Sequence, residues 1–323
     1  MKKFALGAAA AALVLSACST HFHIDFLGAD VLQEVVLRPA ATADRVLVVD
    51  VEGAISSSVG SGALSREGDV LSRLYARLER AAADPRVKAV ILRLDTPGGE
   101  VTASDIAYRE ILRFKERTGL PVIGLMMSVA ASGGYYIAQA CDTVLAHPST
   151  LTGSIGVISI FPGFESLLDK IGVRMTVIKS GGMKDSGSPF RAMTDEEKKS
   201  YQTVIDEYYE DFLRVVAKGR SKVLAEAELR PLADGRVYTA KQALQLKLID
   251  GIGYFDDAYK AALDRARLRS AQVVAFTYYP KAKNNLYAAS LAASWPQAVT
   301  PLEKFLPSLK SGFYYLWLPE AAR

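Results

Sequence analysis

Three short glycine-bearing segments hold the side chains in this sequence best suited to chemistry. Ala130-Ala131-Ser132-Gly133-Gly134 places a serine hydroxyl where a strand pattern gives way to a helix, with only Ala and Gly beside it. Small neighbours leave room for another molecule, and a helix N-terminus favours developing negative charge. The same residues also fit a plain helix N-cap at Ser132, although no Glu or Gln stands three positions on to complete a capping box. Pro97-Gly98-Gly99 follows a second strand pattern. It reads either as accessible backbone N–H donors of the oxyanion-hole kind or as an ordinary turn. Ser180-Gly181-Gly182-Met183-Lys184-Asp185 offers one amine on a loop. Its spacing is not that of a phosphate-binding G-x-x-x-x-G-K-[ST] loop.

A serine hydroxyl is a poor nucleophile without a base. The chain has three histidines, and His21 and His23 precede the first strand pattern. His147 remains for a Ser-His-Asp arrangement, with Asp142 as its partner, because such triads are defined in space and not by spacing. Lys184 is the other candidate. To act as a base it must be neutral, so its ordinary pKa of about 10.4 has to come down to roughly 7 to 8. Burial in apolar surroundings does this.

The elements that would carry these loops alternate in type. Arg45–Val51 and Val87–Leu94 are β-branched apolar runs, and Pro121–Met127 is a third. Continuous apolar runs of this kind indicate strands buried on both faces. Leu71, Leu74, Tyr75 and Leu78 have helical spacing, and Asp84-Pro85 closes that helix. Ile106, Ile111, Leu112 and Phe114 predict a second helix, and a third follows Ser132 through Ala140. Further strands are predicted near 143–146, 155–160 and 173–179. A long helix is predicted over about 194–218, capped by Thr194 with acidic residues in its first turn. Alternation of this kind predicts an α/β fold with a mostly parallel sheet flanked by helices.

The chain has 323 residues, half of them apolar, with 39 basic and 35 acidic side chains. That supports a sizeable core, and the absence of a basic block argues against nucleic acid as a partner. Lys2 and Lys3 precede an apolar run from Phe4 to Leu15. The run is too short for the ~30 Å hydrocarbon core, so it reads as an export signal. Leu15-Ser16-Ala17-Cys18 resembles the lipobox of bacterial lipoproteins, which implies a lipid on Cys18. The expected division is a signal peptide over 1–17, a lipidated tether over 18–44, a catalytic domain over 45–270 and a C-terminal extension over 271–323. The expected location is the extracytoplasmic side of a membrane. The aromatic run Phe313–Leu318 in the extension reads as a membrane or partner contact, or as an arm packed on its own domain.

Together the motifs resemble the signal peptide peptidase A family, in its short single-domain form, within the Clp protease and crotonase superfamily. The resemblance rests on Asp95–Gly99, Ala131–Tyr136, Leu151–Val157, Ser180–Asp185 with Ser188-Pro189, Asp234–Tyr238 and Leu248–Gly253, in that order over about 45–265. It implies a spiral of ββα units and a serine endopeptidase with Ser132 as nucleophile and Lys184 as base. Ser154 would orient the lysine, and the amides of Gly99 and Gly133 would form the oxyanion hole, with Gly98 the competitor for the first. It implies no metal and no cofactor. Implied substrates are cleaved signal peptides and other membrane-associated or unfolded peptides. The implied assembly is a homo-oligomeric ring, octameric in the short form, whose adjacent copies share the Ser-Lys dyad. A crotonase-like acyl-thioester enzyme and a non-catalytic peptide-binding lipoprotein are the alternatives.

Overall fold

In the computed structural model the described residues are 32–57, 69–278, 283, 285–286 and 312–317. The export segment, Cys18, His21, His23 and residues 58–68 lie outside them. Strands β1 (Gln33–Arg38) and β2 (Arg45–Glu52) are followed by helix α1 (Val70–Ala82), β3 (Val87–Thr96), the short β4 (Gly98–Glu100) and α2 (Val101–Thr118). Next come β5 (Val122–Ala131), α3 (Gly133–Ala138), β6 (Thr143–Ala146), β7 (Leu151–Gly153), β8 (Ile158–Ile160) and α4 (Glu165–Lys170). The remainder is α5 (Asp195–Arg220), α6 (Glu226–Leu229), β9 (Val237–Thr239), α7 (Ala240–Gln245), β10 (Gly251–Ile252), α8 (Phe255–Ala266), β11 (Gln272–Thr277) and β12 (Gly312–Leu316).

Among the described residues, nine strands form one sheet along the path β1-β11-β2-β3-β5-β6-β10, with β7 joined to β5 and β9 to β7. From β11 to β10 the pairs on this path are parallel, and β1 and β9 are antiparallel additions. Side chains alternate across a strand. Leu47, Val49 and Val51 of β2 therefore enter one core with α1, α2, α3 and α5, while Val46 and Val48 enter a second core under α8. The long helix begins as its sequence predicts. Thr194 and Glu197 cap each other's backbone amides at 3.2 and 2.8 Å.

Four differences from the sequence expectations matter. First, β5 continues to Ala131, so the strand itself delivers Ser132. Second, residues 173–179 form no strand. Their apolar side chains, from Val173 to an almost fully exposed Ile178, have no adjoining strand among the described residues to pair with. Third, the strand predicted over 155–160 is confined to Ile158–Ile160. Fourth, the main sheet reaches past 45–270 at both ends. β1 comes from the expected tether, and β11 lies between β1 and β2. An edge strand leaves N–H and C=O groups unpaired, and these two strands pair them.

Charge pairing fixes that margin. Asp84, 4% exposed, accepts from Arg45 Nη1 at 2.8 Å and from the backbone and side chain of Arg86 at 2.9–3.0 Å. Arg45 also bonds Glu34 of β1. The Arg86 hydrogen bonds hold the Asp84 carboxyl down at about 2, below its ordinary value of 3.8. A lowered carboxyl pKa gives stability that is present above the unfolded value and lost as pH falls through the folded one. This contribution is therefore expected to disappear between about pH 4 and pH 2. Asp84→Ala should cost about 3 kcal/mol in urea unfolding at pH 7, because it leaves buried Arg45 with Glu34 alone and removes the acceptor of the Arg86 hydrogen bonds. The difference from wild type should shrink at pH 2–3.

Candidate active site

β3, β4, β5 and α3 converge at one point. At the strand-to-helix junction Ser132 has φ 54° and ψ −114°, a conformation rarely adopted by a residue with a side chain. Its backbone is held on both sides. The Ser132 N–H donates to the Gly153 carbonyl at 2.8 Å, and Tyr136 N–H donates to the Ser132 carbonyl at 2.9 Å. The side chain makes no capping bond to α3, so the simple N-cap reading fails. The residue is 1% exposed.

The two glycine loops meet beside it. Gly98 has φ +99°, and a methyl group there would strike the Tyr315 carbonyl oxygen and stand 2.7 Å from the Gly133 amide nitrogen. A methyl group on Gly133 would strike Ser104 Oγ and stand 3.2 Å from Gly98 Cα and Gly99 N. Side chains at either position would push the loops apart. β4 is engaged on one edge by Ile55, which donates to the Gly98 carbonyl and accepts from Glu100 N–H, each at 2.8 Å. Backbone groups alternate along a strand. The amide of Gly99 therefore faces the other edge, where β12 runs antiparallel with Tyr315 opposite Gly99 and Leu316 opposite Gly98.

The remaining sequence candidates divide. Ser154 has φ 49°, is 7% exposed, and sits one residue beyond the carbonyl that holds Ser132. It therefore joins the site. Lys184 lies on an exposed 3-10 turn over Gly182–Asp185. Among the described residues the Ser132 hydroxyl makes no hydrogen bond, so neither Lys184 nor His147 closes on it within one chain. His147 instead contacts Ser149 Oγ at 2.8 Å. Asp142 accepts from Val122 N–H and pairs with Lys115, each at 2.8 Å. No Ser-His-Asp triad forms from these residues.

Sequence reasoning missed several supports. Asp95 Oδ1 accepts from Val129 N–H at 3.1 Å and ties the end of β3 to β5. Thr152 Oγ1 donates to the Ala130 carbonyl at 2.7 Å. Glu100 accepts from Ser56 and Ser57 and fixes the rim. Ser104, fully buried, has no hydrogen-bond partner among the described residues and lies against Gly133. Its signal was readable: it is a polar residue on the helical stripe Ala103, Ala107, Tyr108 and Ile111. Tyr136 packs over this floor, and its hydroxyl donates to Asp105 at 2.8 Å. Burial first, then that carboxylate, pushes the phenol pKa well up.

The sequence profile of peptidase family S49 matches residues 115–269. The chain is 33% identical to a protein named "Putative signal peptide peptidase SppA" in Enterococcus faecium, over 84% of this chain and 75% of that one. It is 37% identical to "Protease 4" of Haemophilus influenzae, over 68% of this chain and 34% of that longer protein. It is 33% identical to "Serine protease SPPA, chloroplastic" of Arabidopsis thaliana, over 70% of this chain and 33% of that one. From the glycine packing, Gly133→Ala is expected to lower peptide hydrolysis on the order of 10²-fold while the fold persists. Adding Ser104→Ala should recover only part of the loss, because the Gly98 and Gly99 backbone contacts remain.

Proposed function

The chain belongs to peptidase family S49, with signal peptide peptidase A, and is a serine peptidase; from that premise we propose a Ser-Lys dyad completed between two copies of the chain. Ser132 is the nucleophile and Lys184 of a neighbouring copy the base. Ser154 orients that lysine, and the Gly99 and Gly133 amides receive the oxyanion. The observation that carries this reading is the Ser132 turn: a strained, buried serine beside two abutting glycine loops, its hydroxyl unbonded among the described residues. Neutral Lys184 takes the hydroxyl proton as Ser132 Oγ attacks the peptide carbonyl. Lys184 then protonates the leaving amine, and water hydrolyses the acyl-enzyme.

A shared site is supported by the segment that carries Lys184. Leu167, Ile171, Met175 and Val177 are 51–61% exposed and Ile178 is 97% exposed. Apolar surface of this kind is expected to be covered. A second copy laid there would cover this surface and take Lys184 out of water. The proposed assembly is therefore a homo-oligomeric ring. The proposed substrates are cleaved signal peptides and other membrane-associated or unfolded peptides. Cys18, following Leu15-Ser16-Ala17, is the proposed lipid attachment site on the extracytoplasmic side of the membrane.

Ser132→Ala and Lys184→Ala are each expected to lower cleavage of a signal-peptide substrate by at least about 10⁴-fold. Mixing the two inactive proteins should restore activity, since some interfaces then pair an intact serine with an intact lysine. Full activity in Lys184→Ala would remove the dyad, and mixed oligomers without recovery would place it within one chain. Cys18→Ser should abolish labelling by a radioactive fatty acid and release the protein from membranes.

A further inference from the structure

The turn that carries Lys184 is held by side chains from outside it. Lys179 Nζ donates to the Gly182 carbonyl at 2.7 Å and to Asp185 Oδ1 at 2.6 Å. Arg191 grips the other end. Its Nε and Nη2 donate to the two carboxylate oxygens of Asp185 at 3.0 and 2.8 Å, and Nη2 also donates to the Asp185 carbonyl at 3.1 Å. Gly182 and Asp185 are the first and last residues of the 3-10 turn, so both of its ends are tied. These hydrogen bonds, those of Arg191 first, hold the Asp185 carboxyl far below its ordinary range. Among the described residues the Lys184 amine itself makes no hydrogen bond or ion pair.

The same guanidinium reaches the body of the fold. Nη1 donates to Glu197 Oε2 at 2.9 Å and to the Ala192 carbonyl at 3.0 Å, and Nη2 bonds Glu197 as well. The Glu197 side chain is only 2% exposed, and its Oε2 also accepts from Thr194 N–H at the cap of α5. That helix is anchored in turn, because Phe212, Leu213 and Val216 enter the larger core. One side chain therefore joins the lysine turn to the start of a helix whose later turns are buried. Exposed ion pairs are worth little. A planar fork that meets a carboxylate on each side is different, because it fixes geometry as well as charge. The neighbouring segment offers no substitute: residues 173–179 form no strand, and their apolar side chains are exposed.

We propose that Arg191 is a positioning residue for the base. By gripping Asp185 on one side and Glu197 on the other, it fixes the Lys184 turn to the start of α5, so that the amine reaches Ser132 of a neighbouring copy from a set place. This rests on Lys184 as the base. Misplacing a reacting group by about 1 Å costs about 10²-fold in rate. In this role Arg191 touches neither the substrate nor the reacting atoms, so its loss acts on kcat and spares binding.

Arg191→Gln is expected to lower kcat for a signal-peptide substrate about 10²-fold and to leave KM within about twofold. Asp185→Ala breaks the same grip from the other end. It should show the same loss, and it serves if Arg191→Gln does not fold. Mixing then locates the defect. Arg191→Gln combined with Ser132→Ala should regain activity, because intact serines then meet intact lysine turns. Combined with Lys184→Ala it should stay inactive, because every lysine then sits on a chain without Arg191. Ser132→Ala combined with Lys184→Ala is the control. Recovery with Lys184→Ala, recovery with neither partner while the control recovers, or an unchanged kcat in folded Arg191→Gln would overturn the proposal. A control that fails removes only the sharing of the dyad between copies. Arg191→Gln should still cost nothing further in a Lys184→Ala background, read as residual hydrolysis, and a loss there as large as in wild type would overturn the proposal however the dyad is assembled. Full activity in Lys184→Ala would remove the base, and the proposal with it.

Discussion

The structure turns on a steric constraint: two glycine loops occupy a space that admits no side chain. Gly98 and Gly133 approach so closely that a methyl group on either would meet the other loop's backbone or its support. This contact brings the end of β3 against the start of α3 and sets the Ser132 turn between them. Strain at Ser132, on the order of 1–3 kcal/mol for such a conformation, persists because the Gly153 carbonyl and the first turn of α3 hold the residue from both sides.

Parallel strands make this convergence possible. The C-terminal ends of β3 and β5 lie side by side, paired from Val90–Val122 to Leu94–Met126 and, after a shift of register, at Thr96–Ala130. Loops leaving neighbouring parallel strands at the same end emerge together, which is why open α/β sheets bind ligands there. β7 extends the arrangement by pairing with the last residues of β5, and so brings Ser154 to the same rim. The two apolar cores hold this sheet from opposite faces, while Asp95, Thr152 and Glu100 fix the ends of the strands.

The chain outside the central α/β pattern is used to complete edges. β1 and β11 extend one margin of the main sheet, reinforced there by Arg45, Asp84 and Glu34. Lys283 and Arg93 converge on Asp50 within the sheet. Burial alone would raise the pKa of Asp50, but the charges of Arg93 and Lys283 outweigh it and hold the carboxyl low. β12 then runs between β4 and β8 beside the site. Among the described residues, the apolar side chains around Lys184 have no such cover from their own chain.

The sequence by itself determined the class of fold, the main parallel strands with their helices, and which glycine loops end those strands. β-branched runs, helical spacing and glycine punctuation are local signals that do not depend on what lies across the chain. It left Ser132 open to being a helix cap, because that role needs the same local residues; the uncapped helix removed that reading. It pointed to a strand over 173–179, because β propensity is local whereas strand formation needs a partner. Its apolar pattern could not reveal that Tyr315 pairs opposite Gly99, more than two hundred residues away in sequence. That pairing depends on two short strand edges being left one strand apart, a property of the folded arrangement that no local run of residues encodes.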